Sequence, residues 1–169
     1  MTVTAGGLIL HAPTAQAATI RDSAGASAAE ASTTASSATS AKALRIARQK
    51  VKARKAVAVA KNQIGDPYRY GATGPGSFDC SGLTQFVWKK AGVKIPRVAA
   101  SQFAGIKKKV SWKNLQPGDL MFFRGLGHVG LYVGNGKMLH SPRTGERVRI
   151  DKLSSWRKAS FVGAVRPGL

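Results

Sequence analysis

The apolar side chains that could build a core are confined to the second part of this chain. From Ala18 to Ala41, 19 of 24 residues are Ala, Ser or Thr, and none is aromatic. Such a segment cannot bury enough apolar surface to offset the entropy that ordering it would lose. We therefore predict a disordered tether over residues 18–41, with a frayed helix of its alanines as the alternative, and one folded domain over residues 42–169, a length typical of a single domain.

The first 17 residues have the pattern of an export signal. The apolar run Gly6–Leu10 leads to Ala15-Gln16-Ala17, which is an A-x-A-like cleavage site. Residues Met1–Thr4 lack the basic side chains that usually precede such a run. We predict a signal peptide over residues 1–17 and a secreted protein. No later stretch of the sequence reaches the roughly 18 uninterrupted apolar residues that a membrane span needs.

The sequence is strongly basic, with 27 Lys and Arg against 7 Asp and Glu and a net charge of +20. Such a chain attracts polyanions over long range, and salt weakens the attraction. Nucleic acid, anionic wall polymers and membrane surfaces all carry the required sign, so charge alone does not choose among them. Eight of the cations fall in Lys42–Lys61, whose alanines predict a basic helix. We expect this helix to dock by an apolar face, or to form a wall- or membrane-binding surface.

Residues 62–169 have the turn residues and the apolar patterns that are typical of an α+β domain. Apolar spacing predicts a helix that starts near residue 80 and stops at Gly92, and a short helix over Ala99–Ile106. Shorter apolar patterns after Pro117-Gly118 predict five strands. They are Leu120–Phe123, His128–Val133, Lys137–His140, Val148–Ile150 and Phe161–Val165. We predict N-terminal helices packed on a small antiparallel sheet.

The single cysteine, Cys80, lies where a Gly-rich loop gives way to the first of these domain helices. A lone thiol in an exported chain is a reactive site, one half of an inter-chain disulfide, or a small buried residue. A helix start presents unpaired backbone N–H groups and partial positive charge, which stabilise a thiolate and can hold an oxyanion. The position therefore favours a nucleophile with a lowered pKa.

A nucleophilic thiol needs a base within hydrogen-bond reach, and that base is usually oriented by a third group. His11 lies in the predicted signal peptide, which leaves His128 and His140. Each of them taken alone is more often a structural strand residue. A zinc site made of Cys80 and these two histidines is the alternative, but the three lack the short paired spacings of common zinc motifs. We expect no metal and no cofactor.

The hairpin between the two histidines decides whether their rings can meet. A two-residue turn at Asn135-Gly136 would pair Leu131 with His140 and place the rings on opposite faces of the sheet. A loop one residue longer would pair Gly130 with His140 and make the rings diagonal neighbours on one face. Gly130 would then leave room beside them for a substrate or for the facing helix.

These residues resemble the NlpC-type cell-wall peptidases, a compact and circularly rearranged relative of the papain fold. The resemblance covers about residues 56–166. It includes, in order, Asp66–Gly71, Phe78–Leu83, Pro117–Leu120, His128–Gly136 and His140. It implies a papain-like domain with Cys80 as nucleophile, His128 as base and His140 as the polar residue that orients the base.

The resemblance also implies a substrate-binding set. Tyr68 matches a tyrosine beside the nucleophile, and Asp79 and Ser81 match positions that receive the free amine of a peptide stem in some members. Asp79 as a helix cap is an equal and compatible interpretation, and Tyr68 as a packed wall of the cleft is another. The sequence departs from the family pattern at Tyr70, usually Trp, and at Ala72, often Gly.

The activity that the resemblance implies is hydrolysis of amide bonds in bacterial peptidoglycan stems, at the D-glutamyl–diamino acid bond, through a thioester. The alternatives are an amidase or acyltransferase on the same fold, and a catalytically silent cationic wall-binding protein. The expected partners are stem peptides and anionic wall polymers, with no specific nucleic acid, and the expected state is a monomer that is secreted or associated with the wall. Arg97, Ser101 and Gln102 also lie in a loop and a helix near positions that are familiar from this family, but we assign them no role.

Overall fold

The computed structural model describes residues 1–2 and 23–169, which form two compact units, Met1–Ser40 and Ala41–Leu169. The predicted signal peptide, apart from its first two residues, lies outside the described part of the chain. So do residues 18–22 of the predicted tether. Within the described residues, no helix combines the length and the apolar character that crossing a membrane would require.

Helix α1 spans Ser23–Lys61 and therefore begins inside the segment that the sequence predicts to be disordered. From Ser23 onward the structure has the helix that the sequence analysis names as the alternative. The physical reason is the alanine content, since alanine has the highest intrinsic helix propensity of the common residues. A tethering role for residues 18–41 stays a prediction.

In the unit Ala41–Leu169, α1 packs through small side chains. Ala53, Ala56 and Ala60 are buried, whereas Leu44 is 59% exposed. A Cβ built on Gly118 would come within 2.6 Å of the Ala53 Cβ, so the helix lies very close to the backbone there. The predicted apolar docking face is present, but alanines form it and larger apolar residues of the same helix stay in solvent.

The rest of this unit is an α+β fold, as predicted. Its helices are α2 (Cys80–Lys90), α3 (Ala99–Gly105) and α4 (Ser155–Ala159), with a 3-10 turn at Trp112–Asn114. Its strands are β1 (Lys109–Val110), β2 (Leu120–Phe123), β3 (His128–Gly134), β4 (Lys137–His140), β5 (Arg149–Lys152) and β6 (Phe161–Val165). They form one antiparallel sheet in the order β1-β6-β2-β3-β4-β5.

The β3–β4 hairpin combines features of both predicted turns. Its tip is the two-residue turn Asn135-Gly136, in which both residues have a positive φ, of 52° and 63°. A bulge at Val133 then shifts the pairing by one residue, so that Leu131 lies opposite Leu139. This is the register that the longer loop would give. As a result, the two histidines project from the same face of the sheet.

Alternation along the strands separates two apolar clusters. The larger cluster lies between α2 and one face of the sheet, where Leu83 and Val87 of α2 join Phe122, Val129 and Leu131. The smaller cluster, built on Met121, Phe123 and Met138, lies on the other face. The histidines share that second face, at the end of the sheet where β3 begins and β4 ends.

Candidate active site

Three side chains form a hydrogen-bonded chain across β3, β4 and β5. The Nε2 atom of His128 lies 2.9 Å from Nδ1 of His140. On the other side of that ring, Nε2 of His140 lies 2.9 Å from Oδ2 of Asp151. His140 is fully buried, so its two ring nitrogens have these two partners instead of water. We call this set the His–His–Asp relay.

The carboxylate at the end of the relay decides which nitrogens carry protons. An ionised carboxylate only accepts hydrogen bonds, so a neutral His140 donates Nε2–H to Asp151 and keeps Nδ1 as an acceptor. His128 must then donate its Nε2–H to that acceptor. The Nδ1 atom of His128 is left with a free lone pair, which is what a general base needs.

Asp151 is the member of the relay that the sequence analysis missed. It lies on β5 directly opposite Met138, and therefore on the histidine face of the sheet. Two arginines hold its carboxylate, since Arg149 Nε lies 2.9 Å from Oδ1 and Arg157 Nη2 lies 3.1 Å from Oδ2. Burial raises the pKa of Asp151, but the hydrogen bonds and charges of Arg149 and His140 outweigh it and hold the pKa below its ordinary value. Asp151 is therefore ionised at neutral pH.

Cys80 is the first residue of α2, as predicted, and its side chain is only partly exposed. The backbone N–H groups of Val129, the residue after His128, and of Ser81 lie close enough to the sulfur to act on the pKa of the thiol, which they lower. The thiol is thus placed next to the first residues of β3. The fold brings the predicted nucleophile and the predicted base to one end of the sheet.

The expectation that the helix start lowers the pKa of the thiol is wrong for this structure. Burial raises the pKa of Cys80, and the negative charge of Asp79 acts in the same direction. The backbone N–H groups near the sulfur lower it, but by less. At neutral pH the site therefore holds a thiol, which must lose its proton to a neighbouring base before or during attack.

The two imidazoles are neutral at the same pH. Burial, followed by the charges of His140, Arg157 and Arg124, lowers the pKa of His128 to about 3. Burial also lowers the pKa of His140 to about 4, even though Asp151 opposes the shift. The thiol and both imidazoles are therefore neutral in the resting form of the site.

Asp79 caps helix α2, as one of the two sequence interpretations holds. Its Oδ1 accepts from the backbone N–H of Gly82 at 2.7 Å, and its Oδ2 accepts from Gly71 N–H at 3.0 Å. The guanidinium of Arg97 pairs with both carboxylate oxygens and donates to the Ser81 hydroxyl at 2.8 Å. Against the effect of burial, Arg97 and Gly82 hold the pKa of Asp79 below its ordinary value.

The other predicted substrate residues lie around the same helix start. Tyr68 is half-buried, and burial, together with the nearby Cys80 and Asp79, raises its pKa. The buried Gln102 of α3 donates to the backbone oxygen of Ser81 at 3.0 Å, which fixes the first turn of α2 from outside. Arg97 and Gln102 thus support the helix start, a function that their place in the sequence could not reveal.

No group of three His, Cys, Asp or Glu side chains among the described residues is arranged to hold a metal ion. The geometry explains this result for the histidines. The facing nitrogens of His128 and His140 are hydrogen-bonded to each other, and the remaining nitrogen of His140 is bonded to Asp151. Of the four ring nitrogens, only Nδ1 of His128 is therefore left without a partner inside the relay.

A cysteine at a helix start, close to the strand end of an antiparallel sheet that carries a histidine pair, is the arrangement of a cysteine peptidase fold. The model of the NlpC/P60 family matches residues 65–166, which is more than half of the chain. The chain belongs to the NlpC/P60 family. The prediction of the family from sequence is thereby confirmed, as is the prediction of the fold.

Individual relatives agree with this assignment. Over 131 residues the chain is 43% identical to the murein DD-endopeptidase MepH of Escherichia coli, a match that covers 69% of this chain and 48% of MepH. The structure of the peptidoglycan hydrolase RipB of Mycobacterium tuberculosis superposes with a TM-score of 0.62 at 29% identity, and the match covers 71% of this chain and 66% of that one. A Bacillus cereus NlpC/P60 family protein gives 0.63 at 36% identity, covering 68% and 39%. The chain spans between about a fifth and a half of the length of the first curated relatives it matches.

Proposed function

We propose that this chain is a cell-wall endopeptidase that hydrolyses amide bonds in peptidoglycan stem peptides, with Cys80 as its nucleophile. The observation that carries the proposal is the His–His–Asp relay, which leaves Nδ1 of His128 as a free base at the end of the sheet where the thiol lies. The names of MepH and RipB support the substrate class.

The chemistry follows from the neutral resting state. Nδ1 of His128 takes the thiol proton as the sulfur attacks the amide carbonyl, and backbone N–H groups at the start of α2 stabilise the oxyanion. The C–N bond then breaks, and the imidazolium passes its proton to the leaving amine. Water attacks the thioester, the C–S bond breaks, and the thiol is restored. Asp151 acts through His140, whose orientation it holds, and is a positioning residue.

The helix start is the proposed substrate-binding wall. We assign Tyr68, Asp79 and Ser81 to contacts with the acyl side of the substrate, as the family resemblance implies. Because Arg97 already pairs with Asp79, a substrate amine would share that carboxylate with the guanidinium or displace it. Arg97 therefore belongs to the proposed binding wall as well.

Two bonds are candidates for cleavage. The sequence resemblance implies the D-glutamyl–diamino acid bond within a stem, and we retain it. The name of MepH, a DD-endopeptidase, favours the cross-bridge between stems as the second candidate. The two products differ in mass, so digestion of purified peptidoglycan followed by mass spectrometry identifies the bond.

The test of the nucleophile is Cys80→Ala. We expect the wild-type protein to release soluble fragments from purified peptidoglycan, and the variant to release none above background. Thermal melting of the variant serves as the folding control, since loss of a thiol leaves the α2 cap intact. Undiminished release by the variant would refute the assignment. Products of amidase or acyl-transfer mass would replace the endopeptidase with the alternative reactions, and binding to wall without any release would leave a wall-binding protein.

A further inference from the structure

A pocket opens beside the histidine pair, and the mechanism proposed above does not use it. It has a volume of about 190 Å³ and opens at the end of the sheet where β3 begins and β4 ends. Its walls include both histidines together with four arginines, Arg124, Arg143, Arg149 and Arg157. Among the described residues, neither Cys80 nor Arg97 contributes to its lining. The pocket thus lies on the imidazole side of the site, away from the proposed acyl-side wall.

The arginines of this pocket exceed the carboxylates available to them. Glu146 pairs with Arg143 at 3.1 Å and with Arg149 at 2.9 Å. Asp151 takes the remaining contacts of Arg149 and also pairs with Arg157. Four guanidinium groups therefore face two carboxylates, and the surplus is positive. Its field reaches the site, because Arg157 and Arg124 both contribute to lowering the pKa of His128.

The guanidinium that no described carboxylate pairs with is held in a defined place. Arg124 has a positive φ of 50° at the end of β2, and its guanidinium lies over the Trp156 ring at 4.9 Å from the ring centroid. Arg157 lies over the same ring at 5.1 Å. The exposed indole of α4 thus contacts two cations, of which Arg157 already donates to Asp151 and Arg124 has no carboxylate partner among the described residues. Planar guanidinium groups bind carboxylates through paired hydrogen bonds.

The direction of proton transfer indicates which part of a substrate would enter the pocket. The amine that leaves takes its proton from His128, so the leaving residue must lie on the imidazole side of the scissile bond. The arginine pocket adjoins that side. We propose that it is a leaving-group subsite, which binds a free carboxylate on the residue that departs as the amine. This inference rests on the proposed endopeptidase function and specifies its substrate as an acidic diamino or amino acid at the leaving position.

The test compares versions of one muropeptide that the enzyme cleaves. The first has free carboxylates throughout, the second has the carboxylate of the leaving residue converted to a carboxamide, and the third carries the carboxamide on the acyl side. We expect kcat/KM for the second to fall about tenfold, mainly through a higher KM, because its amide cannot accept the charged pair of hydrogen bonds. The kcat/KM for the third should stay close to that for the first.

Variants then locate the effect. In Arg124→Gln and in Arg143→Gln, the preference for the free carboxylate over the leaving-side carboxamide should shrink from about tenfold toward unity. Lys158→Gln is the matched control, since it removes one exposed charge from α4 at a residue outside the pocket lining. Arg149 and Arg157 are left unchanged because they also hold Asp151. Two separate variants keep the test decisive if one of them folds poorly.

Equal cleavage of the free and leaving-side amidated forms by the wild-type enzyme would overturn the subsite and leave the endopeptidase function standing. Sensitivity to the acyl-side carboxamide alone would also overturn it. If Lys158→Gln reduces the preference as much as Arg124→Gln does, overall charge causes the preference. The pocket is then not its cause, and the subsite is refuted. Absence of any cleavage, of muropeptide or whole wall, would instead refute the proposed function, and the subsite would fall with it.

Discussion

A single carboxylate determines what the histidine pair can do. With Asp151 as a permanent acceptor, the proton positions along the relay follow from hydrogen-bond chemistry, and they leave a free lone pair at Nδ1 of His128. If the terminal group were a hydrogen-bond donor, His140 would accept at Nε2 and donate from Nδ1 to Nε2 of His128. The proton of a neutral His128 would then be on Nδ1, and no free base would remain there. The buried environment adds a second effect, because it disfavours the charged form of both rings.

The low pKa values predict an unusually acid-tolerant activity. A base works only while unprotonated, and a lowered pKa means that His128 binds a proton only at lower pH. We therefore expect the acid limb of kcat/KM, measured on a soluble stem peptide, to have its midpoint well below 6.5, the ordinary histidine value. A midpoint at or above 6.5 would contradict a neutral base with a lowered pKa.

Thermal melting over the same pH range is the necessary control. The histidines titrate near 6.5 in the unfolded chain but near 3 to 4 in the folded one. The unfolded state then binds more protons between these values, so their contribution to stability is present above pH 6.5 and is lost as the pH falls. The rate data count only where the protein remains folded.

The sequence allowed the prediction of some of these residues and not of others. Cys80, His128 and His140 could be predicted because the order and spacing of their segments together resemble the pattern of a known family. Asp151 could not, because the apolar pattern of its strand ends at Ile150 and no local pattern marks it as the partner of His140, which lies 11 positions earlier. Extending β5 by one residue would have placed Asp151 opposite Met138 on the histidine face, and that was the available signal.

At the scale of elements, the hairpin register depends on one bulged residue. The turn chemistry of Asn135-Gly136 was readable from sequence, since both residues tolerate a positive φ. The bulge at Val133 was not, because nothing local distinguishes it from a regular strand residue. Its effect is long-range, as it moves His140 to the face of the sheet that carries His128.

Gly130 has a different function from the one expected. The sequence suggested that it leaves room for a substrate or a helix, but the space above it is filled by its own neighbours. A Cβ at this position would lie 2.9 Å from the Met138 sulfur and 3.4 Å from the His140 Cβ. The glycine therefore allows β3 and β4 to bring the two rings together.

We expect Gly130→Ala to lower kcat by about tenfold or more, because the added methyl would lie 2.9 Å from the sulfur of the buried Met138, and the resulting shift of β4 would misalign His140. It should also reduce stability by roughly 1–3 kcal/mol, as overpacking does. Gly105→Ala is the control, since its new Cβ would meet only an ordinary contact at 3.4 Å from Pro96. The double variant Gly130→Ala/Met138→Ala, which removes the closer obstacle, should recover part of kcat. Wild-type kcat in the single variant would show that the histidine contact is not needed.

At the scale of the whole molecule, the arginine and lysine side chains have different roles. In the described part of the chain, every ion pair with a carboxylate uses Arg or His, and no lysine takes part in one. The acidic residues thus serve the site and the core, whereas the lysines contribute uncompensated charge. Composition alone could predict the excess of charge, but only the fold shows where it gathers.

Part of that charge gathers in two adjoining grooves within the unit Ala41–Leu169. The larger has a volume of about 630 Å³ and shares Lys108, Gln116 and Arg166 with the smaller. Their cationic walls come from the second part of α1, from the segment after α3 and from the strand ends nearby. Together they contain Lys42, Arg45, Lys50, Lys107, Lys108, Lys109, Lys113 and Arg166. Such a surface suits a flexible polyanion better than a compact ligand.

We therefore expect this surface to hold the protein on the anionic polymers of the wall. Retention on purified wall should fall steeply between about 0.05 and 0.5 M salt, because the charges are exposed and screened. The triple variant Lys107→Gln/Lys108→Gln/Lys113→Gln should elute at lower salt than Lys89→Gln/Lys90→Gln/Lys94→Gln, which removes the same charge elsewhere. Wall stripped of its anionic polymers should retain the two triple variants equally. Equal weakening of both variants on intact wall would mean that net charge, and not these grooves, determines retention, and salt-independent retention would contradict an electrostatic attachment altogether.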